Sequence, residues 1–332
     1  MTRSIESLGS QPRLPARLGH RFQCLVQTNF LANVRMGKRI LLTAADSFTG
    51  TWLKPALERR GHTVIGTSRR NPSTELMELD IVDPVAVRRC IDEARPDILI
   101  HLAGIAFANH STNRNTYLAN VIGALNLAQA FERLRSLPDH LVFVSSATVY
   151  SSAVDGEPIT EDHPVDPHNH YSASKAMVEI ALKQYMRDLP ISIVRPFNYT
   201  GANQRDIFFP AKVAKCFRER DSELHVGNID VVRDLSDVRD ICEMYCRLAE
   251  SESVGLLNFC SGKGIRMADI ISECARLTGH EPNVIRDPRF IRGQEVPTLI
   301  GSTQRLEALL GPLQFRTLEA TMRDMLRNPT NE

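Results

Sequence analysis

From Lys38 onward the chain alternates between short, continuous apolar runs and segments with helical spacing. KRILLTAA (38–45) is apolar throughout and ends in small residues, the pattern of a strand buried on both faces. WLKPALERRGH (52–62) follows with helical spacing, and Gly61 is placed to end it. HTVIGTS (62–68), PDILIHLAG (96–104), HLVFVSSATVY (140–150) and ISIVRPFN (191–198) repeat the buried-strand pattern, with helical segments between them. Strands and helices in strict alternation predict an α/β fold, a doubly wound parallel sheet with helices on both faces.

After Asn198 the pattern loosens. YTGANQRD (199–206) and RDPRFIRGQEVP (286–297) are rich in glycine, proline and charge. They predict a smaller C-terminal lobe over the strand ends, formed by residues 198–229 and 251–328. VVRDLSDVRDICEMYCRLAE (231–250) reads as a short strand and a helix returning to the main layer. Residues 37–197 together with about 230–250 are therefore expected to form one domain.

Composition narrows the choice of partners. The 332 residues are 42% hydrophobic and 24% charged with a net charge of +1, so no nucleic-acid or anionic-membrane partner is expected. No apolar run is long enough to span a bilayer, and a cytoplasmic setting is expected. Seven cysteines without CxxC spacing read as reduced thiols. Cys242 and Cys246 lie one helical turn apart, but no matching Cys or His pair completes a metal site, and helix packing accounts for them. Residues 1–36 differ: Arg3, Arg13, Arg17, Arg21 and Arg35 stand against one acid, Glu6. A transit peptide has this composition; so has a disordered tail, or a leader upstream of a start at Met36, which is the expectation retained.

The first strand runs into TAADSFTG (43–50). A dinucleotide site at this place needs a tight turn with backbone N–H groups and a helix N-terminus facing a pyrophosphate. Only Gly50 remains of the usual glycines; Ala44 and Ser47 hold the other two places and Asp46 adds a negative charge. Thr43, Ala45, Ser47, Phe48 and Gly50 are the candidate contacts, and an ordinary strand–helix turn is the alternative. The second strand ends in Ser68-Arg69-Arg70, where an acid would grip ribose hydroxyls and favour NAD. Two guanidiniums favour the 2′-phosphate of NADP instead, with NAD still possible; two solvated surface arginines are the alternative. Asp80 and Ile81 offer a carboxylate and an apolar wall to an adenine. Small residues in HLAG (101–104) let backbone at Leu102, Ala103 and Gly104 approach a cofactor, and His101 reads as a packed structural histidine.

Ser146 closes the strand that precedes YSASK (171–175), and Tyr171 and Lys175 are spaced to share one helix face. A free phenol has a pKa near 10. A nearby ammonium and a positive nicotinamide ring are expected to lower it, so that Tyr171 exchanges a proton with a carbonyl held by Ser146.

With these residues assembled, the chain over 38–326 resembles the extended short-chain dehydrogenase/reductases that act on nucleotide sugars, Rossmann-like enzymes. More narrowly, it is similar to reductases of nucleotide-linked 4-keto-6-deoxyhexoses, GDP-4-keto-6-deoxy-D-mannose reductase and the dTDP-6-deoxy-L-talose-forming reductase among them. SSATVY (145–150), YSASK, VRPFNYTGANQ (194–204), VGNIDVVRDLSDVRD (226–240), NFCSG (258–262) and DPRFIRGQEVP (287–297) carry the resemblance. It implies catalytic Ser146, Tyr171 and Lys175, with Lys175 also on the nicotinamide ribose. It implies cofactor contacts at Asn120 and Pro196, and a nucleotide-sugar site with Asn198, Val226, Gly227, Arg233 and Arg292. It implies a homodimer through helices near 116–133 and 171–187. Dehydratases of this superfamily carry an acidic pair just after the catalytic hydroxyl; here Ala147 and Thr148 stand there, which leaves carbonyl reduction as the expected chemistry. A 4-epimerase with tightly held NAD, and a non-catalytic nucleotide-binding protein, are the alternatives.

Overall fold

The computed structural model describes residues 37–70, 73–106, 113–151, 157–290 and 296–327; the arginine-rich leader and Arg292 lie outside them. Strand β1 (Arg39–Thr43) leads into helix α1 (Phe48–Arg59), whose N-cap Ser47 accepts a hydrogen bond from Gly50 N at 3.1 Å. The helix starts four residues earlier than its apolar spacing suggested, because Ser47 supplies the cap. Gly61, at φ 85°, follows its end.

Strands β2 (Thr63–Ser68) and β3 (Leu76–Glu78) precede helix α2 (Pro84–Ala94), capped by Asp83 with Pro84 in its first turn. Strand β4 (Ile98–His101) is followed by a long helical run. It comprises α3 (Asn113–Tyr117), a π-helical turn (Leu118–Ile122) and α4 (Gly123–Glu132). Strand β5 (His140–Val144) stops before Ser145, and a short 3-10 turn (Ala147–Val149) carries the chain away from the sheet. Helix α5 (His170–Leu182) opens with a reciprocal cap: Asn169 accepts from Ser172 N, and the Ser172 hydroxyl accepts from Asn169 N. Strands β6 (Ile191–Pro196) and β7 (Asn198–Thr200) follow.

In the C-terminal part, α6 (Phe209–Glu219), β8 (Glu223–Val226), β9 (Val232–Asp237) and α7 (Val238–Ala249) precede β10 (Gly255–Phe259). Then come β11 (Gly264–Arg266), α8 (Met267–Thr278), β12 (Asn283–Arg286), β13 (Thr298–Leu299), α9 (Gln304–Leu310) and α10 (Leu318–Arg327).

The main sheet has seven parallel strands in the order β3-β2-β1-β4-β5-β6-β10. Its strands read as apolar runs because both faces are covered: Ile40, Leu42, Ile100 and Val142 pack under α1 and α7, while Leu41, Leu99, Leu141 and Phe143 pack on the other face. Each such side chain contributes about 1.5–3 kcal/mol by leaving water. The order reverses at β1 and β4, and such a switch point is where open α/β sheets bind ligands.

Two expectations need correction. The strand in 231–250 does not join the main layer: β9 pairs with β7, β11 and β13 in a separate sheet, and only α7 returns to pack on α1. The strand that does extend the main sheet is β10, within the stretch assigned to the smaller lobe; Gly255–Phe259 runs parallel to Ser192–Pro196.

Candidate active site

At the first turn, Ala44 adopts φ 52°, a left-handed conformation that costs a residue with a Cβ about 1–2 kcal/mol. The turn is therefore made in the geometry a glycine would give, without the glycine. Gly50 has no such freedom to lose: a Cβ there would lie 2.5 Å from the carbonyl oxygen of Ala44 and 2.6 Å from that of Ala45. The helix N-terminus and its capped Ser47 thus pack directly against the turn, the cradle a pyrophosphate needs, and the residues fit a dinucleotide. Thr43 is fully buried, with its hydroxyl 2.9 Å from His101 Nδ1 and accepting from Ala103 N at 2.9 Å. Its side chain braces the β1 and β4 ends and is closed to a ligand. Ala45 is buried and Phe48 stacks on Tyr199 with ring centroids 6.2 Å apart.

Ser68 is buried at the end of β2, and its hydroxyl donates to Asp46 at 2.7 Å. That bond engages the one acid of the loop, while Arg69 and Arg70 are exposed beside it. Asp80 is half-buried and accepts from Val82 N at 3.0 Å; Ile81 is buried against Gly123. Leu102 and Ala103 are half-buried and Gly104 is exposed. A Cβ on Gly104 would fall 2.7 Å from Asn120 Oδ1 and 3.7 Å from Lys175 Nζ, which places the HLAG backbone against the π-helical turn and α5.

Asn120 sits on the π-helical turn, buried. It donates to Ile105 O and to Ser174 Oγ (2.9 Å) and accepts from Ile105 N (2.8 Å). Single π turns concentrate at functional sites, and this one aims an amide between the β4 loop and α5.

The end of β5 and the first turns of α5 bring the catalytic candidates together. Ser146 is 8% exposed, and its hydroxyl lies 2.9 Å from Thr148 Oγ1 and accepts from Thr148 N. Burial raises the Tyr171 phenol above its ordinary value, and the neighbouring Ser146 hydroxyl pulls the other way. The lowered phenol expected from a neighbouring ammonium is not found in the protein alone, because loss of solvent outweighs every other influence on that hydroxyl. Lys175 is the group that moves toward neutrality: burial brings its pKa to about 8, opposed by Glu179. Its Nζ donates to Val144 O at 2.8 Å.

The substrate-side candidates divide. Pro196 is buried at the end of β6, and Asn198 is exposed at the start of β7. Val226 is 2% exposed, so only its backbone can face a ligand. Gly227 packs under Phe290, where a Cβ would meet the Phe290 carbonyl oxygen at 2.3 Å. Arg233 is half-buried and donates to Val232 O (2.9 Å) and Pro297 O (3.3 Å). A cavity of about 500 Å³ opens elsewhere, between α1, α7 and residues 312–316; none of the candidates lines it, and Arg239, Arg247 and Arg316 on its wall are paired with carboxylates.

Sequence reasoning missed a buried polar layer directly behind this set. Glu179 accepts from Ser145 and from two nitrogens of Arg195, and the Arg195 guanidinium lies 4.5 Å over the Tyr150 ring. Tyr150 OH donates to Asn258 at 2.6 Å. An arginine inside the apolar run ISIVRPFN was the available signal, since a charge there needs a buried partner.

A serine, tyrosine and lysine gathered at the strand ends of a doubly wound parallel sheet, beside a glycine-dependent helix N-terminus, define an NAD(P)-dependent oxidoreductase. The chain belongs to the NAD dependent epimerase/dehydratase family, whose model matches residues 40–258. It is 29% identical over 296 residues to GDP-6-deoxy-D-talose 4-dehydrogenase of Aggregatibacter actinomycetemcomitans, covering 87% of this chain and 97% of that one. It is 28% identical over 305 residues to GDP-6-deoxy-D-mannose reductase of Pseudomonas aeruginosa, covering 88% and 97%. The structure of RMD from Pseudomonas aeruginosa complexed with NADPH superposes with a TM-score of 0.77 at 28% identity, covering 87% of this chain and 98% of that one. Among the described residues no helix is long and apolar enough to cross a membrane.

Proposed function

We propose that the protein interconverts the C4 ketone and alcohol of a nucleotide-linked 6-deoxyhexose, with reduction by NADPH as the working direction and a 6-deoxyhexose donor for surface polysaccharide as the product. The observation that carries this reading is the set formed by Ser146 at the end of β5, the buried Tyr171 phenol that the Ser146 hydroxyl influences, and buried Lys175 one turn along the helix, with no acid at Ala147 or Thr148. Elimination across C5–C6 would need an acid and a base there; hydride exchange at C4 needs only the hydroxyl pair.

NADPH, when bound, supplies the hydride. The tight turn at Ala44, Ser47 and Gly50 supports a pyrophosphate at the α1 N-terminus, and exposed Arg69 and Arg70 favour the 2′-phosphate. Ser146 orients the substrate carbonyl. Tyr171 protonates its oxygen as charge develops, and burial favours this role because it keeps the phenol protonated until then. Lys175 holds the ribose and offsets the phenolate that Tyr171 becomes. Asn198 and Arg233 would serve the diphosphate and nucleotide, with the Val226–Gly227 backbone toward the base; Arg292 belongs to the same expectation but lies outside the described residues. Exposed Met177 and Ile180 on α5 and Ile122 on the π turn support the dimer face expected there.

The test is NADPH oxidation, followed by absorbance, with GDP- and dTDP-linked 4-keto-6-deoxyhexoses. Turnover with one of them is expected. Tight NADPH binding with no turnover of either would remove the proposal.

A further inference from the structure

Glu179 lies one helical turn beyond Lys175 and is 4% exposed. Its Oε1 accepts from the Ser145 hydroxyl at 2.5 Å and from Arg195 Nε at 2.9 Å, and its Oε2 accepts from Arg195 Nη2 at 2.5 Å. Arg195 is 3% exposed and gives Nη1 to Glu161 O at 3.2 Å. One carboxylate therefore joins three elements: α5, the end of β5 and β6. Each join sits beside a catalytic group. Ser145 directly precedes Ser146, and its own N–H is tied to Val194 O at 2.7 Å. Val144, one residue further back, receives the Lys175 ammonium.

Fold stability alone does not call for this arrangement. A buried ion pair gives back much of its Coulomb energy in desolvation, and well-packed apolar replacements are often no less stable. What an apolar replacement lacks is direction and charge. Resting on the reading of Ser146, Tyr171 and Lys175 as the catalytic set, we infer that Glu179 is a positioning residue, which fixes the Ser146 strand end and the Lys175 ammonium relative to one another through a single buried carboxylate.

Its charge also acts on Lys175. The charged or titratable groups around that ammonium are His101 on β4, Tyr171 and Glu179 on α5, and Arg195 on β6 behind Glu179. His101 is held neutral by burial, which leaves Glu179 as the group that favours the charged form of Lys175. Arg195 and Ser145 moderate that influence, since both donate to the same carboxylate.

The test uses the full chain and NADPH alone, so it stands whether or not a sugar substrate is identified. NADPH affinity is measured by nicotinamide fluorescence from pH 6 to 10, the basic limb reporting loss of the Lys175 proton. Glu179→Gln keeps the shape and removes the charge; the limb is expected to move at least half a unit to lower pH, with affinity little changed at pH 7 and reduced about threefold on the basic side. Ser145→Ala keeps the ion pair and removes one donor from the carboxylate; the limb is expected to move the other way by a smaller amount. Opposite shifts support the inference. If Glu179→Gln does not fold, the upward shift in Ser145→Ala decides. Limbs that coincide with the unmodified protein in every variant that folds overturn it. Failure of the function proposed above would appear separately, as wild-type protein that binds NADPH and reduces no nucleotide sugar.

Discussion

The Lys175 ammonium donates to the carbonyl oxygen of Val144 at 2.8 Å, so helix α5 is anchored to the strand whose end presents Ser146. The lysine is thus held in place before any ligand arrives, and burial keeps the phenol of Tyr171, one turn earlier, protonated. The consequences can be measured.

Tyr171→Phe keeps the ring and removes the proton donor. General acid catalysis is worth about 10²–10⁴-fold, and a loss of that size in kcat is expected. NADPH affinity should stay within a few-fold of the unmodified protein. A kcat within tenfold of the starting value would mean that another group delivers the proton.

Replacing both Arg69 and Arg70 by Ala should weaken NADPH binding about 10–100-fold, the value of one charge-assisted contact or slightly more, and leave NADH binding unchanged. Calorimetric titration with the two cofactors separates the outcomes. Equal losses for both would place the arginines away from the 2′-phosphate.

The turn offers two glycine tests of opposite sign. Gly50→Ala places a methyl 2.5 Å from the Ala44 carbonyl oxygen, so α1 must shift and cofactor binding should fall at least tenfold. Ala44→Gly relieves a left-handed residue at φ 52°. The relief of about 1–2 kcal/mol exceeds the added chain entropy of about 0.5–1 kcal/mol, so the melting midpoint should rise by a degree or more. Thermal unfolding with and without NADPH reads both.

Two buried histidines predict loss of stability in mild acid. Burial lowers His101 from 6.5 to about 3 and His140 from 6.5 to about 4. The unfolded chain therefore takes up protons first. The contribution of each neutral ring is complete above pH 6.5 and is lost progressively as pH falls toward the folded-state value. Urea midpoints at pH 7, 6, 5 and 4.5 should decline through this window. His140→Leu should flatten part of the slope; an unchanged slope would show that His140 does not carry it.

The sheet was legible in the sequence because its strands are covered on both faces and read as unbroken apolar runs, ILLT in β1 and HLVFV in β5. β10 escaped because GLLNF opens on a glycine, carries the polar Asn258 and follows irregular chain, and β9 misled because VRDLSD carries charge that its separate sheet accommodates through Asp234 and Asp237, both buried and hydrogen-bonded. Tyr171 and Lys175 were readable because helical spacing alone sets them on one face. The roles of Thr43 and Glu179 were not: their partners, His101 and Arg195, come from other strands, and only the assembled sheet brings them together.

The π-helical turn at Leu118–Ile122 has one residue more than an α-helical path would use. Deleting a single residue there would restore regular α-helical hydrogen bonding and leave both flanks close to their present orientation, so the apolar stripe of α4 would stay on the core. The loss would be local: Asn120, on the widened turn, would be drawn away from Ile105 and Ser174. The extra residue therefore serves the aim of one amide, and the helix around it would survive its removal.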